Sequence, residues 1–185
     1  MIHSARSLRT GLLGLACLLA GSAARADATK QPARTPIVSP GDTRFDTVDR
    51  LAIINLFGAM VRGIDEQDVG LLVSTVAPDF CAEYRVPGSP ALKVSGRENF
   101  RAMMTKRFEF LENAGIRRRH IISPPFFLEQ TPDSAHVTIH FLNCTSTHGK
   151  DWHPFISALG EFRLAKRDGV WMFTSQIELP DVALD

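Results

Sequence analysis

Arg117-Arg118-Arg119-His120-Ile121-Ile122 divides the chain into two kinds of pattern. A basic run gives way to a histidine and two β-branched residues, as in a strand with a polar start and an apolar body. Before it, most apolar residues recur at helical spacing. After it, they alternate. The reading of this stretch as a strand therefore sets an α+β plan, with helices early and antiparallel strands late.

Downstream the strands follow one another. Residues 117–123 give the first and residues 126–130 the next, after Pro124-Pro125. Pro132-Asp133-Ser134 turns the chain into a long strand over 135–147, whose inner side carries Val137, Ile139, Phe141 and Asn143. His148-Gly149-Lys150-Asp151 is a polar crossover. The following strand places Ile156, Ala158, Gly160, Phe162 and Leu164 on one face, and Asp168-Gly169 marks a hairpin. The last strand turns Trp171, Phe173 and Ile177 inward and ends near Glu178, with Pro180 beyond it.

Upstream, Ser95-Gly96-Arg97-Glu98 reads as a capping box opening a helix that buries Phe100, Met104, Phe108 and Leu111 and stops at Gly115. Met103 and Met104 read as packing filler rather than ligands. Phe80, Ala82, Tyr84 and Val86 alternate with Cys81, Glu83 and Arg85 in a half-buried strand. Pro87-Gly88-Ser89-Pro90 turns it toward a short partner over 91–94. Asp68 caps a short helix with Val69, Leu72, Val73 and Val76, stopped by Pro78. The first helix is capped by Asp46 or Thr47, and Leu51, Ile54, Gly58 and Val61 form its apolar face. Asp65 continues that face, so either it is buried with a partner or the helix frays after Gly63 and Asp65 caps the next turn.

At the N-terminus, Arg6 and Arg9 precede an apolar run ended by Ala24-Arg25-Ala26, the pattern of a signal peptide over 1–26 cleaved between Ala26 and Asp27. The run is too short to span a bilayer and no later segment is apolar enough, so a periplasmic or secreted protein that leaves the membrane after signal removal is expected. Gly14-Leu15-Ala16 before Cys17 fits a lipobox poorly. Residues 27–44, with Pro32, Pro36 and Pro40, read as a flexible arm, 45–179 as one domain and 180–185 as a tail. The chain of 185 residues, 44% hydrophobic and 22% charged, suffices for a single core. Removing residues 1–26 takes away Arg6, Arg9 and Arg25 and no acid, so Lys+Arg falls from 21 to 18 against Asp+Glu 20 and the net charge becomes −2. That balance argues against nucleic acid as a partner. Cys81 and Cys144 could form one disulfide, but unpaired core cysteines are the simpler reading.

Over 45–179 the chain resembles the SnoaL-like branch of the nuclear-transport-factor-2-like superfamily. The resemblance rests on Ile64-Asp65-Glu66-Gln67-Asp68, Ala77-Pro78-Asp79-Phe80, Gly96-Arg97-Glu98, Arg119-His120, and Gly160-Glu161-Phe162 before Asp168-Gly169-Val170-Trp171. It implies a cone-shaped barrel, a curved and mostly antiparallel sheet wrapped around about three helices, holding a small hydrophobic molecule in a homodimer or higher homo-oligomer. It is similar to enzymes such as scytalone dehydratase in the acid at Asp65 and the histidine after arginine at His120. It departs from them between residues 57 and 64, where a tyrosine often found in the family is missing.

A histidine held by an aspartate is fixed in one tautomer, with its far nitrogen free to take a proton. Such a pair suits a lyase or isomerase that removes a proton beside a carbonyl or leaving group, with no metal or cofactor. Tyr84 or Asn143 would steady the developing oxyanion, and Phe162 and Trp171 are expected to line the pocket with them. A binding protein and a dimerising accessory domain are the alternatives. His136 and His140 face away from Val137 and Ile139 and are expected to be exposed. His148, Asp151 and His153 lack the fourth ligand of a metal site. The three arginines read as a solvated strand start, with the steering of an acidic ligand as the alternative.

Overall fold

A computed structural model describes residues 46–182, so the signal segment and the whole of the arm lie outside the described residues. Three helices, α1 (Thr47–Asp65), α2 (Val69–Ser74) and α3 (Arg97–Asn113), accompany seven strands. These are β1 (Val76–Tyr84), β2 (Leu92–Ser95), β3 (Ile116–Ile122), β4 (Phe126–Gln130), β5 (Ser134–Thr147), β6 (His153–Arg167) and β7 (Val170–Pro180). They form one curved, unclosed sheet in the order β2-β1-β7-β6-β5-β3, with β4 also pairing β5. Only the β1–β7 pair is parallel. β3 and β4 share the outer edge of β5, β3 against its end and β4 against its start.

Local chemistry fixes the helix starts. Asp46 accepts the Val48 amide at 2.8 Å and Asp68 the Leu71 amide at 2.9 Å, each satisfying a donor the helix leaves unpaired. α3 begins differently. Gly96 is its cap at φ 87°, a conformation that favours glycine, while Ser95 ends β2 and caps nothing, so the capping box is corrected. Gly63 lets the backbones of α1 and α2 meet, since a Cβ there would lie 2.7 Å from the Leu72 nitrogen. At the β6–β7 hairpin Asp168 and Gly169 both have positive φ, as a two-residue turn of matching twist requires.

The buried face of α1 is Ile53, Phe57 and Met60, with Phe57 edge-on to Phe162 (4.9 Å) and Phe173 (4.8 Å). Leu51 and Ile54 are exposed instead, so the expected apolar face is offset from the true one by about a quarter turn. α3 buries Phe100, Met104, Phe108 and Leu111 as expected. Val76 opens β1 rather than ending α2, and Pro78 lies within that strand. Near its start α1 is fastened by Asp49, buried, which accepts Lys166 Nζ at 2.7 Å and Trp171 Nε1 at 2.9 Å. These two donors hold the Asp49 carboxyl below its ordinary range.

Three further expectations are revised. His136 is buried and pairs with Glu161 Oε1 at 2.8 Å, because its face of β5 is covered at that point; His140 is exposed. Cys81 and Cys144 are unpaired as expected, since β7 and β6 separate their strands, but neither is a core residue, Cys81 being exposed and Cys144 half-buried. β7 runs on through Pro180, and a register shift opposite Arg163 and Leu164 leaves Thr174 unmatched. This bulge reverses the alternation, so Gln176, Glu178 and Pro180 turn to the side of Phe173 and Ile177 does not. No helix among the described residues is long and apolar enough to cross a membrane.

Candidate active site

Asp65 is the last residue of α1 and only 9% exposed. On the same face Leu51, Ile54 and Gly58 are exposed and Val61 is half-buried, and at Asp65 β3 crosses over it. Asp65 Oδ1 lies 2.6 Å from His120 Nδ1, and the same carboxylate accepts the His120 amide at 3.1 and 3.2 Å. Arg119 Nη1 donates to the Asp65 carbonyl at 3.1 Å, tying the helix end to the strand from the other side. The carboxylate thus grips one residue through both backbone and ring. With Asp65 accepting a hydrogen bond from Nδ1–H, the tautomer that leaves a lone pair on Nε2 is selected.

That lone pair is occupied. His120 and Asn143 are cross-strand partners on β3 and β5, and Asn143 Nδ2 stands 3.1 Å from His120 Nε2. The far nitrogen expected to be free instead accepts from an amide. Asn143 is 4% exposed, and its Oδ1 is buried without a hydrogen-bond partner. Rotating the amide would let that oxygen accept a hydrogen bond from Nε2–H, so Asn143 can serve both protonation states of the ring.

His120 and Asn143 open on a cavity of about 250 Å³ between the helices and the sheet. Its apolar wall is built from Met60, Leu72, Phe80, Phe100 and Met104. The polar wall holds Tyr84, Arg107, Arg118, Gln176 and Glu178. Tyr84 and Glu178 are neighbours in register on β1 and β7, and Gln176 Nε2 donates to Glu178 Oε2 at 3.3 Å. Burial pushes the Glu178 carboxyl above its ordinary range, and Arg107, His120 and Arg118 only partly oppose this. Burial also raises the Tyr84 phenol, with Glu178 adding to the effect, so the phenol is a proton donor at neutral pH. Arg118 is pushed down to about 10 by burial and then by the like charge of Arg107, and it remains charged near neutrality.

Asp65, His120, Tyr84 and Asn143 are therefore brought together. Phe162 and Trp171 are not part of this wall. Phe162 lies under Phe57 and Phe173 in the core, reaching a smaller cavity of about 40 Å³ behind His120. Trp171 is bound to Asp49 away from both cavities. Arg107 and Glu178 are residues that the sequence does not mark, and Arg118 lies within the run read chiefly as a solvated strand start. Alternation from His120 alone would have placed Arg118 inside; Glu178 is turned inward by the bulge, which leaves no plain mark in sequence. Of the other histidines, His153, at the start of β6, has its Nε2 3.1 Å from Thr145 Oγ1, and His148 packs against Gly115.

Residues 46–176 match the family described as the SnoaL-like domain. No curated protein matches the chain. Among solved structures it is similar to ActVI-ORFA from Streptomyces coelicolor, at 21% identity and TM-score 0.62, covering 73% of this chain and 98% of that one. A protein of unknown function from Mycobacterium tuberculosis, Rv3472, is similar at 19% identity and TM-score 0.61, with 72% of each chain covered. An NTF2-like protein with a cystatin-like fold from Novosphingobium aromaticivorans is similar at 19% identity and TM-score 0.59, over 75% of this chain and 83% of that one.

Proposed function

The chain belongs to the SnoaL-like family of the nuclear-transport-factor-2-like superfamily, and from that premise we propose that it is a lyase or isomerase using His120 as general base. The observation that carries this reading is the 2.6 Å contact between Asp65 Oδ1 and His120 Nδ1 beside a cavity of about 250 Å³. Asp65 fixes the tautomer, Nε2 takes a proton from a carbon next to a carbonyl, and Asn143 yields its place on Nε2 to the substrate. The Tyr84 phenol supplies the hydrogen bond to the oxygen on which charge develops. In an elimination, the same phenol protonates the departing hydroxyl.

A second reading is favoured by Asn143 itself. An amide seated on Nε2 competes with any incoming proton, as suits a protein that holds its ligand without turning it over. Incubating wild type with cyclic ketones and β-hydroxy ketones in D2O, followed by proton NMR, separates the two. The enzyme reading expects catalysed exchange or water loss that falls about 10²- to 10⁴-fold in His120→Ala. Ligands that bind wild type while exchanging at the His120→Ala rate support the binding reading and sink the first.

A further inference from the structure

The basic run contains one arginine that a solvated strand start does not explain. Along β3 the alternation turns Arg117 and Arg119 outward and Arg118 inward. Arg119 is engaged, donating to the carbonyls of Asp65 (3.1 Å) and Arg118 (3.0 Å). Arg118 differs: its Nε is buried without a hydrogen-bond partner, and its guanidinium lies 5.2 Å over the Phe155 ring. Arg107, on α3, lines the same cavity. Among the described residues neither guanidinium has a carboxylate oxygen within 4.0 Å. Glu178 is the only carboxyl among the residues lining that cavity, and burial biases it toward its neutral form.

A half-buried guanidinium whose Nε is buried without a partner, with the more exposed Arg107 adding a like charge to the same cavity, is costly when the cavity is empty and useful when it is filled. We propose that the ligand is a small ring-containing carboxylic acid whose carboxylate lies between Arg107 and Arg118, with its ring against Phe80, Phe100 and Met104. The planar forks of the two guanidiniums suit a carboxylate, and the opposite wall offers a second anion nothing. The inference rests on the reading of this cavity as the ligand site. It adds an orientation to that reading. His120 follows Arg118 by two residues on the same strand face, about 7 Å further along β3. The carbon presented to His120 is therefore several bonds from the carboxylate, across the ring.

The test compares 2-naphthoate with its neutral isostere 2-naphthamide, read by naphthalene fluorescence with the full chain. Wild type is expected to hold the acid at least tenfold more tightly than the amide. Arg118→Gln should erase that preference by weakening the acid alone, the retained amide affinity showing that the cavity is intact. Arg118→Lys should keep part of it. Equal affinity for acid and amide in wild type, no binding of either, or a preference that survives in both Arg107→Gln and Arg118→Gln overturns the proposal. A preference that persists in His120→Ala supports this subsite whether or not there is turnover. A preference absent where turnover is present sinks the subsite and leaves the proton-transfer reading standing.

Discussion

Near the start of α1, Asp49 accepts Lys166 Nζ and Trp171 Nε1; at its end, Asp65 accepts both nitrogens that His120 offers. The two acids are about 24 Å apart along one helix and both are buried. Their partners differ. Neither the lysine nor the indole lines the cavity, so Asp49 fastens the helix to the β6–β7 hairpin and no more. Histidine can change its protonation, and this one faces the cavity. A buried carboxylate is thus structural or chemical according to what it holds and where that group leads.

The sharpest way to break this comparison is to remove each charge and measure proton transfer. Asp65→Asn should slow exchange about 10²- to 10⁴-fold, through loss of the selected tautomer, with ligand affinity little changed. Asp49→Asn should leave the rate per folded molecule as it was. Equal losses at both positions would mean that Asp65 also acts only by holding the fold. A smaller effect is expected in unfolding by denaturant. Asp49→Ala strands a buried indole N–H and a partly buried ammonium and should cost about 2–3 kcal/mol.

The contrast between the two acids also shows what could be read in advance. Asp65 was found because an acid breaks the Leu51, Ile54, Gly58, Val61 series, although that series is not the buried face of α1. Asp65 is buried all the same, because this face becomes covered toward the C-terminal end of α1, where β3 crosses it. Asp49 was overlooked because acids in a first turn are ordinary and its partners lie more than a hundred residues away. Periodicity located most elements, the α3 face and the β6–β7 turn. It failed at Ile177 and Glu178, where one unmatched residue reversed the inward side of β7. It also sent Phe162 and Trp171 to the cavity wall, since an inward aromatic looks the same in sequence whether it fills a core or lines a cavity.

The mildest test sets Asp49 against Glu178, whose titrations bear on stability with opposite sign. Asp49 has a lowered folded pKa, so its contribution is present above its unfolded value near 3.8 and is lost as pH falls through the folded one. Asp49→Ala should therefore cost less in acid than at neutrality. Glu178 has a raised folded pKa, so folding favours its proton. Its ionisation costs nothing below the unfolded value near 4.5, weighs on stability as pH rises from there through the folded value, and persists above it. Glu178→Gln should then leave the Tm unchanged near pH 4 and raise it by a few degrees at pH 8. Arg107, Arg118 and His120 face this carboxyl and oppose its burial, while Tyr84 and Gln176 stand beside it. A Tm that falls at pH 8 in Glu178→Gln would show that the two arginines need Glu178 as their counter-charge. The polar wall would then be complete without a ligand, as Asp49 is with Lys166.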